Sequence, residues 1–268
     1  AFVGQFGPNI NVRNFKAALG ELGFSETYEV ALGADIGAIA EAHHYVNKVT
    51  TGELPFLLTS CCPSWAMLAK KFFPDLIDQI SQELTPMVAT ARTIKQEHPN
   101  AKVVFIGPCA AKKLEAMRRT VRSEVDFVLT FEEMSGIFAA KDLDLEAMHE
   151  DVDGVNDVSA DGRNFAVSGG VAQAVVDVIK KEYPDKEIKI ANAEGLEECR
   201  KLMMLASKGK YNGYLLEGMA CPGGCVAGAG TMQPIKKSQG AVKIYATKAN
   251  HKVSTETEYV KELDKLVD

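Results

Sequence analysis

The sequence predicts an α/β fold built on mainly parallel strands, and three observations carry that prediction. Short runs rich in Val, Ile, Phe and Leu alternate with amphipathic helical segments along most of the chain. Three of the predicted strands run directly into turns of Cys, Gly and Pro: TSCCPSW at 59–65, GPCAAKK at 107–113 and EGMACPGGCVAGAGTMQP at 217–234. Open α/β sheets place their functional sites at the carboxyl ends of strands, where these turns fall. At 268 residues the chain suffices for one large domain or two small ones, with a core that needs no disulfides.

In chain order, residues 1–7 read as the tail of a strand. Asn11 caps a helix over 13–22 that puts Phe15, Leu19 and Leu22 on one face, and Gly23 ends it. Asp35 opens a second helix to about Val49, with Glu41 and His44 three residues apart on one face. A buried strand over 54–59 leads into Cys61-Cys62, and Pro63 starts the helix that carries Trp65, Leu68 and Phe72. Pro74 stops it, and Pro86 starts another to about Gln96. The strand KVVFI at 102–106 precedes Pro108-Cys109 and a helix through about Arg119. A strand over 126–129 leads to Thr130, the cap of the next helix. Residues 141–162 are acidic and irregular, lack EF-hand ligand spacing and read as a solvated loop. Ser168-Gly169-Gly170 turns into a helix over 171–181. A strand over 187–190, a helix over 196–207 and a strand over 211–216 follow. Thr255 with Glu258 reads as a capping box for a C-terminal helix.

Composition excludes several classes. A net charge of −6 argues against a nucleic-acid surface and against an anionic membrane. No apolar run approaches the length of a membrane span. The chain opens on Ala1 rather than Met, so an excised or processed start is expected, with more protein upstream. Six cysteines are present. Their clustering in Gly/Pro turns of a large chain points to metal binding or catalysis in a reducing, cytoplasmic setting rather than to disulfides.

Cys221 and Cys225 are separated by three residues, and five glycines and two prolines crowd the stretch that holds them, so the backbone can bend tightly round something bulky. Zinc is disfavoured, because the spacing is not that of a zinc finger and the cysteine stretches lie far apart. Four thiolates suffice for a [4Fe–4S] cluster. Five of the six cysteines lie in the three turns, so one is spare. Vicinal Cys61 and Cys62 point in different directions; one of them ligates and the other is free for chemistry. Cys199, away from the turns, reads as a core thiol, as do Met203 and Met204 as core side chains. His43, His149 and His251 show no partner pattern in the sequence and read as exposed residues.

The motifs TSCCPSW, PCAAKKLE and EGMACPGGCVAGAG resemble the three signatures of the catalytic domain of [FeFe] hydrogenases, and the resemblance extends to the VDFVLT strand and the SGGV turn after Phe165. It implies two α/β lobes with twisted, mainly parallel sheets over the whole chain 1–268, and an active site in the cleft between them. The implied cofactor is the H-cluster, a [4Fe–4S] cube bridged through one cysteine sulfur to a two-iron subcluster with CO, CN and azadithiolate ligands. By position, Cys62, Cys109, Cys221 and Cys225 would hold the cube, with Cys225 bridging to the iron pair. Cys61 would be the spare thiol that passes protons, and Lys112 would hydrogen-bond a cyanide. Met219 and Phe165 would pack on the two-iron unit, with Ser60 and Pro108 in the same loops. A proton path would run from Cys61 through water to Glu41, Ser81 and His44, the last standing where the family has a glutamate; histidine can still relay protons. Glu115, near Lys112 on one helix, either orients that lysine or forms an ordinary ion pair.

Three further departures surround the site. Gly107 stands where the family usually has a methionine, Leu58 where a phenylalanine is common, and Thr231-Met232 lengthens the turn after Cys225. They are similar to features of the divergent, sensory branches of the family. The expected function is therefore reversible reduction of protons to dihydrogen, by a ferredoxin-type hydrogen:acceptor oxidoreductase. A low-turnover hydrogen sensor, or a non-catalytic iron–sulfur protein like the Narf relatives, is the alternative. Expected partners are ferredoxin or upstream iron–sulfur domains as electron donor, and hydrogenase maturation proteins; no nucleic acid or membrane insertion is expected.

Overall fold

The computed structural model describes residues 1–149 and 157–266. Two parallel sheets hold the strands that the sequence predicts. One pairs β1 (Leu57–Leu58), β5 (Tyr214–Met219) and β4 (Lys189–Glu194) in the order β1-β5-β4; the other pairs β2 (Val104–Gly107) with β3 (Phe127–Thr130). Register matches Leu57 to Leu215, Ile190 to Leu215, and Val104 to Phe127. The strands are shifted toward the site relative to expectation. β4 and β5 continue through Asn192, Glu194, Glu217 and Gly218, residues of low strand preference that the pairing to a neighbour overrides.

Helices cover both sheets, and most begin where a cap or a proline predicts. Asn11 accepts from the Arg13 and Asn14 amides ahead of α1 (Val12–Glu21). Pro63 and Pro86 open α3 (Pro63–Phe72) and α4 (Pro86–Glu97). Thr130 and Glu133 cap α6 (Phe131–Ala140) reciprocally. The long α2 (Ala31–Lys48) begins four residues before Asp35, which is not its cap. The Asp35 carboxylate is fully buried and accepts from the Ser159 amide and hydroxyl, a tertiary role that its local sequence does not disclose. Together α2 and α8 (Gly170–Glu182) build the first core from Ile39, Tyr45, Val175 and Ile179 against Leu57 and Leu215. On the opposite face, α3 and α9 (Leu196–Ala206) pack Trp65, Cys199 and Met203 against Leu58 and Leu216.

Several expectations are corrected. Residues 1–7 form turns rather than a strand; Phe2 and Phe6 pack on Phe15, with ring centroids 5.4 and 4.8 Å apart. Of the acidic stretch, 150–156 lie outside the described residues. The rest is not simply solvated: Leu143, Leu145 and Met148 join the Phe15–Phe138 cluster, and Ser159 caps the short α7 (Ala160–Asn164). The C-terminal segment is 3-10 rather than α-helical (Ser254–Glu256 and Glu258–Lys265), and Glu256, not Glu258, accepts from the Lys252 and Val253 amides. A helix that the sequence does not announce, α10 (Ile235–Ala246), follows Pro234. Among the described residues no helix is long and apolar enough to cross a membrane.

Candidate metal centre

The carboxyl ends of β1, β2 and β5 meet at one cavity of about 710 Å³, whose lining includes Cys61, Cys62, Pro108, Cys109, Lys112, Phe165, Met219, Cys221 and Cys225. Both sheets therefore contribute: Cys61 and Cys62 follow β1, Cys221 and Cys225 follow β5, and Cys109 follows β2 ahead of α5 (Ala111–Met117). All five cysteines are free and partly exposed.

Local packing fixes these loops. Cys62 is the N-cap residue of α3, and the Trp65 indole nitrogen reaches back to donate to the Thr59 carbonyl at 2.9 Å. Trp65 is fully buried on Gly218, where a Cβ would lie 2.1 Å from the ring, so β5 and α3 approach as closely as they do only because residue 218 is glycine. Gly228 abuts the Pro108 carbonyl, and the Gly230 amide donates to that same oxygen at 2.9 Å, seating the Cys225 loop on the Cys109 loop. Gly224, with φ of 95°, lies against the backbone of residues 166–168. Glu217, fully buried at the end of β5, accepts from the Gly169 and Ala172 amides at 2.8 and 2.7 Å and so ties the SGGV turn to the cysteine loop.

The donor set is electrostatically unsatisfied as bare protein. Burial pushes the Cys225 thiol up to about 12, with Cys62 and Cys109 adding to the rise and Lys112 opposing it. Burial likewise raises Cys109 and Cys221. Several thiols share this cavity, with Lys112 as the cation beside them. That combination suits a cationic metal group that takes up thiolates. Among the described residues no three His, Cys, Asp or Glu side chains close on a single ion position. A cube does not require that closure, because each of its irons takes its own sulfur. The residues present therefore fit the cluster and disfavour mononuclear zinc.

Lys112 is buried, lies 2.5 Å from Glu115 Oε2, and donates to the Cys61 carbonyl at 3.4 Å. The ion pair is thus the alternative for Glu115 that is present, and the paired Lys112 also lines the cavity. Met219 is buried at the end of β5. At Gly107, a Cβ would meet the Phe105 ring at 2.5 Å, so Phe105 occupies the space over this glycine. Leu58 is plain core. The Thr231-Met232 insertion is anchored: Thr231 Oγ1 donates to the Gly228 carbonyl at 2.8 Å, and the Met232 amide donates to the buried Gln5 Oε1 at 2.8 Å.

A second, water-sized cavity of about 10 Å³ lies between Cys61, Thr59, Ser60, Glu41 and Phe165. Glu41 Oε1 and Thr59 Oγ1 are both buried without a hydrogen-bond partner. The other Glu41 oxygen accepts from Ser81 Oγ at 2.9 Å. Ser60 turns its hydroxyl to the Glu83 carbonyl at 3.1 Å, and His44 Nδ1 lies 3.3 Å from Glu83 Oε1. Thr59, Phe105 and Glu83 were not singled out in the sequence; only the TSCCPSW motif, which begins at Thr59, carried a signal for any of them.

Burial lifts Glu41 from 4.5 to about 8, against the lowering hydrogen bond from Ser81. The folded chain thus keeps a proton that the unfolded chain loses between those values. Stability of the metal-free protein is expected to fall as pH rises through that window, and Glu41→Gln is expected to flatten the slope. Thermal melting at several pH values checks this. Asp161 and Glu217, each raised to about 7 chiefly by burial, act in the same direction and remain in the variant.

Of the other expected side chains, Cys199 is a core thiol, with Sγ 3.5 Å from the Met219 carbonyl. Met203 is core, whereas Met204 is exposed. His43 and His251 do have partners, Glu182 and Asp157, each at 2.7 Å.

Comparison with known proteins places this geometry. The periplasmic [Fe] hydrogenase large subunit of Nitratidesulfovibrio vulgaris is 27% identical over 261 residues, covering 82% of this chain and 62% of that one. The NADP-reducing hydrogenase subunit HndD of Solidesulfovibrio fructosivorans is 29% identical over 261 residues, covering 80% and 44%. The cytosolic Fe-S cluster assembly factor NAR1 of Kluyveromyces lactis is 26% identical over 172 residues, covering 61% and 36%. The chain thus spans only 62% and 44% of the two hydrogenase subunits. The fold matches an apo variant of the [FeFe]-hydrogenase HydA1 from Chlamydomonas reinhardtii with a TM-score of 0.80 at 22% identity, over 97% of this chain and 84% of that one. Residues 1–229 match the family described as iron only hydrogenase large subunit, C-terminal domain, and to that family this chain belongs.

Proposed function

We propose that the chain is the catalytic domain of an [FeFe] hydrogenase, with residues 1–268 forming the H-cluster domain and its two lobes. The observation that carries this reading is the convergence, on one cavity, of Cys62, Cys109, Cys221 and Cys225 with a spare thiol, Cys61, and a buried ammonium, Lys112. A plain [4Fe–4S] protein needs neither of the last two. The four cysteines would hold the cube, with Cys225 shared with the two-iron subcluster and its CO, CN and azadithiolate ligands. When bound, that group supplies the redox centre at which two protons and two electrons become dihydrogen. Lys112 offers N–H donors to an anionic ligand, held in aim by Glu115. Met219 and Phe165 exclude water. The Cys61 thiol hands protons to and from the site, and Glu41 and Ser81 connect it toward the surface, with His44 beyond.

Electrons would come from ferredoxin or from iron–sulfur domains upstream, and maturation proteins would install the two-iron unit, in a reducing cytoplasmic setting. The test is infrared spectroscopy of anaerobically matured protein. Carbon monoxide and cyanide bands are expected; their absence after maturation would leave only the plain-cluster alternative, for which the NAR1 likeness is the precedent. Phe105 over Gly107 and the Gln5-anchored insertion favour a second reading, a sensory hydrogenase of low turnover. Turnover with reduced viologen in the range of ordinary bidirectional enzymes would remove that second reading.

A further inference from the structure

Resting on the hydrogenase reading, we propose that Glu83, paired with His44, is the point at which protons exchange between the buried Glu41–Ser81 couple and solvent. The turn from Ser81 to Glu83 is built around one hydroxyl. Ser81 Oγ donates to Glu41 Oε2 at 2.9 Å and accepts the Glu83 amide at 3.2 Å. The hydroxyl keeps a second lone pair for an incoming proton. Ser60 Oγ donates to the Glu83 carbonyl at 3.1 Å, which fixes the turn beside Cys61.

The Glu83 side chain leads outward from this turn. Its carboxylate lies 3.3 Å from His44 Nδ1, and the two side chains are 31% and 17% exposed. His44 Nδ1 itself is buried and has no aligned hydrogen bond. Behind them Glu41 and Ser81 are buried. Glu83 is therefore the most exposed of the four groups, and His44 faces it from α2. The neighbouring His43 is occupied by Glu182 and does not compete.

The transfer moves a proton and no electrons. Inward, water protonates the pair, Ser81 gives its hydroxyl proton to Glu41, and the pair restores a proton to Ser81. Outward transfer reverses each step.

The test needs no cluster. Metal-free full chain is mixed with D₂O below the Glu41 titration, and the carboxylic C=O band, assigned by its loss in Glu41→Gln, is followed as it deuterates. Glu83→Gln and His44→Gln are each expected to slow deuteration about tenfold or more, while Glu83→Asp, which keeps a carboxylate, retains most of the rate. Wild-type rates in both Gln variants would overturn the proposal. So would a shifted band at an unchanged rate, since Glu83 would then only position Ser81. Missing carbon monoxide and cyanide bands in the matured wild type would sink the hydrogenase reading and leave this exchange measurement standing.

Discussion

Replacing Cys61 with serine is expected to leave iron content and the carbon monoxide and cyanide bands in place while lowering dihydrogen turnover by about a hundredfold or more. The vicinal pair divides its work by direction. Cys62 caps α3 at the wall of the large cavity. Cys61 lines that cavity and also the small one that holds the unpartnered Glu41 and Thr59 oxygens. Burial raises its thiol well above the ordinary value, and the nearby Cys62, Glu217, Cys225 and Glu41 add to the rise, so in the bare protein it rests as the protonated thiol. A serine hydroxyl is a far poorer acid, so it keeps the shape and loses the proton transfer. Iron analysis, infrared spectra and viologen-linked turnover on one preparation separate the outcomes. Loss of iron in Cys61→Ser would assign the ligand to Cys61 instead.

The three cysteine turns, the strands leading into them and the proline-started helices were legible because each depends on residues within a few positions. Pro63 and Pro86 cannot continue a preceding helix, and Thr130 needs only Glu133 to complete its cap. What stayed hidden depends on distant partners. Asp35 looks like a cap until Ser159 is seen to claim it. The carboxylate of Glu83 gains meaning only when His44 arrives from another helix. Phe105 is an ordinary strand residue until Gly107 leaves room for its ring. The helix over Ile235–Ala246 carries three lysines and a glycine and sits behind a Gly/Pro-rich run, which masked it.

Gly224→Ala is expected to cut iron retention severalfold and to lower the melting temperature. Gly224 has φ of 95° and ψ of −162°, a region that side-chain-bearing residues enter at a cost of about 1–3 kcal/mol. A methyl group there would also lie 2.6 Å from the Ser168 amide nitrogen and 2.8 Å from the Ala166 carbonyl oxygen. Those are backbone atoms in the strip that Ser168 and Val226 stitch to the cysteine loop, through bonds to the Gly223 and Ala166 carbonyls at 3.2 and 3.1 Å. Gly223→Ala is the matched control. Its φ of 92° also disfavours a side chain, but its nearest obstacle is the Ile235 side chain, which can turn aside. A larger iron loss at 224 than at 223 measures the backbone overlap; equal losses would show that conformational strain alone governs the loop.

The pairing of Leu57 with Leu215 also sets a schedule for synthesis. Cys61 and Cys62 leave the ribosome early, yet the strand that flanks them cannot join β5 until most of the chain has followed. Contacts of such long separation form slowly and leave apolar strands uncovered in the meantime. Cys221 and Cys225 arrive last of the five, on the strand that closes the sheet. The nascent chain therefore carries exposed thiols without a finished cradle, and the five cysteines come together only after β5 has paired with β1.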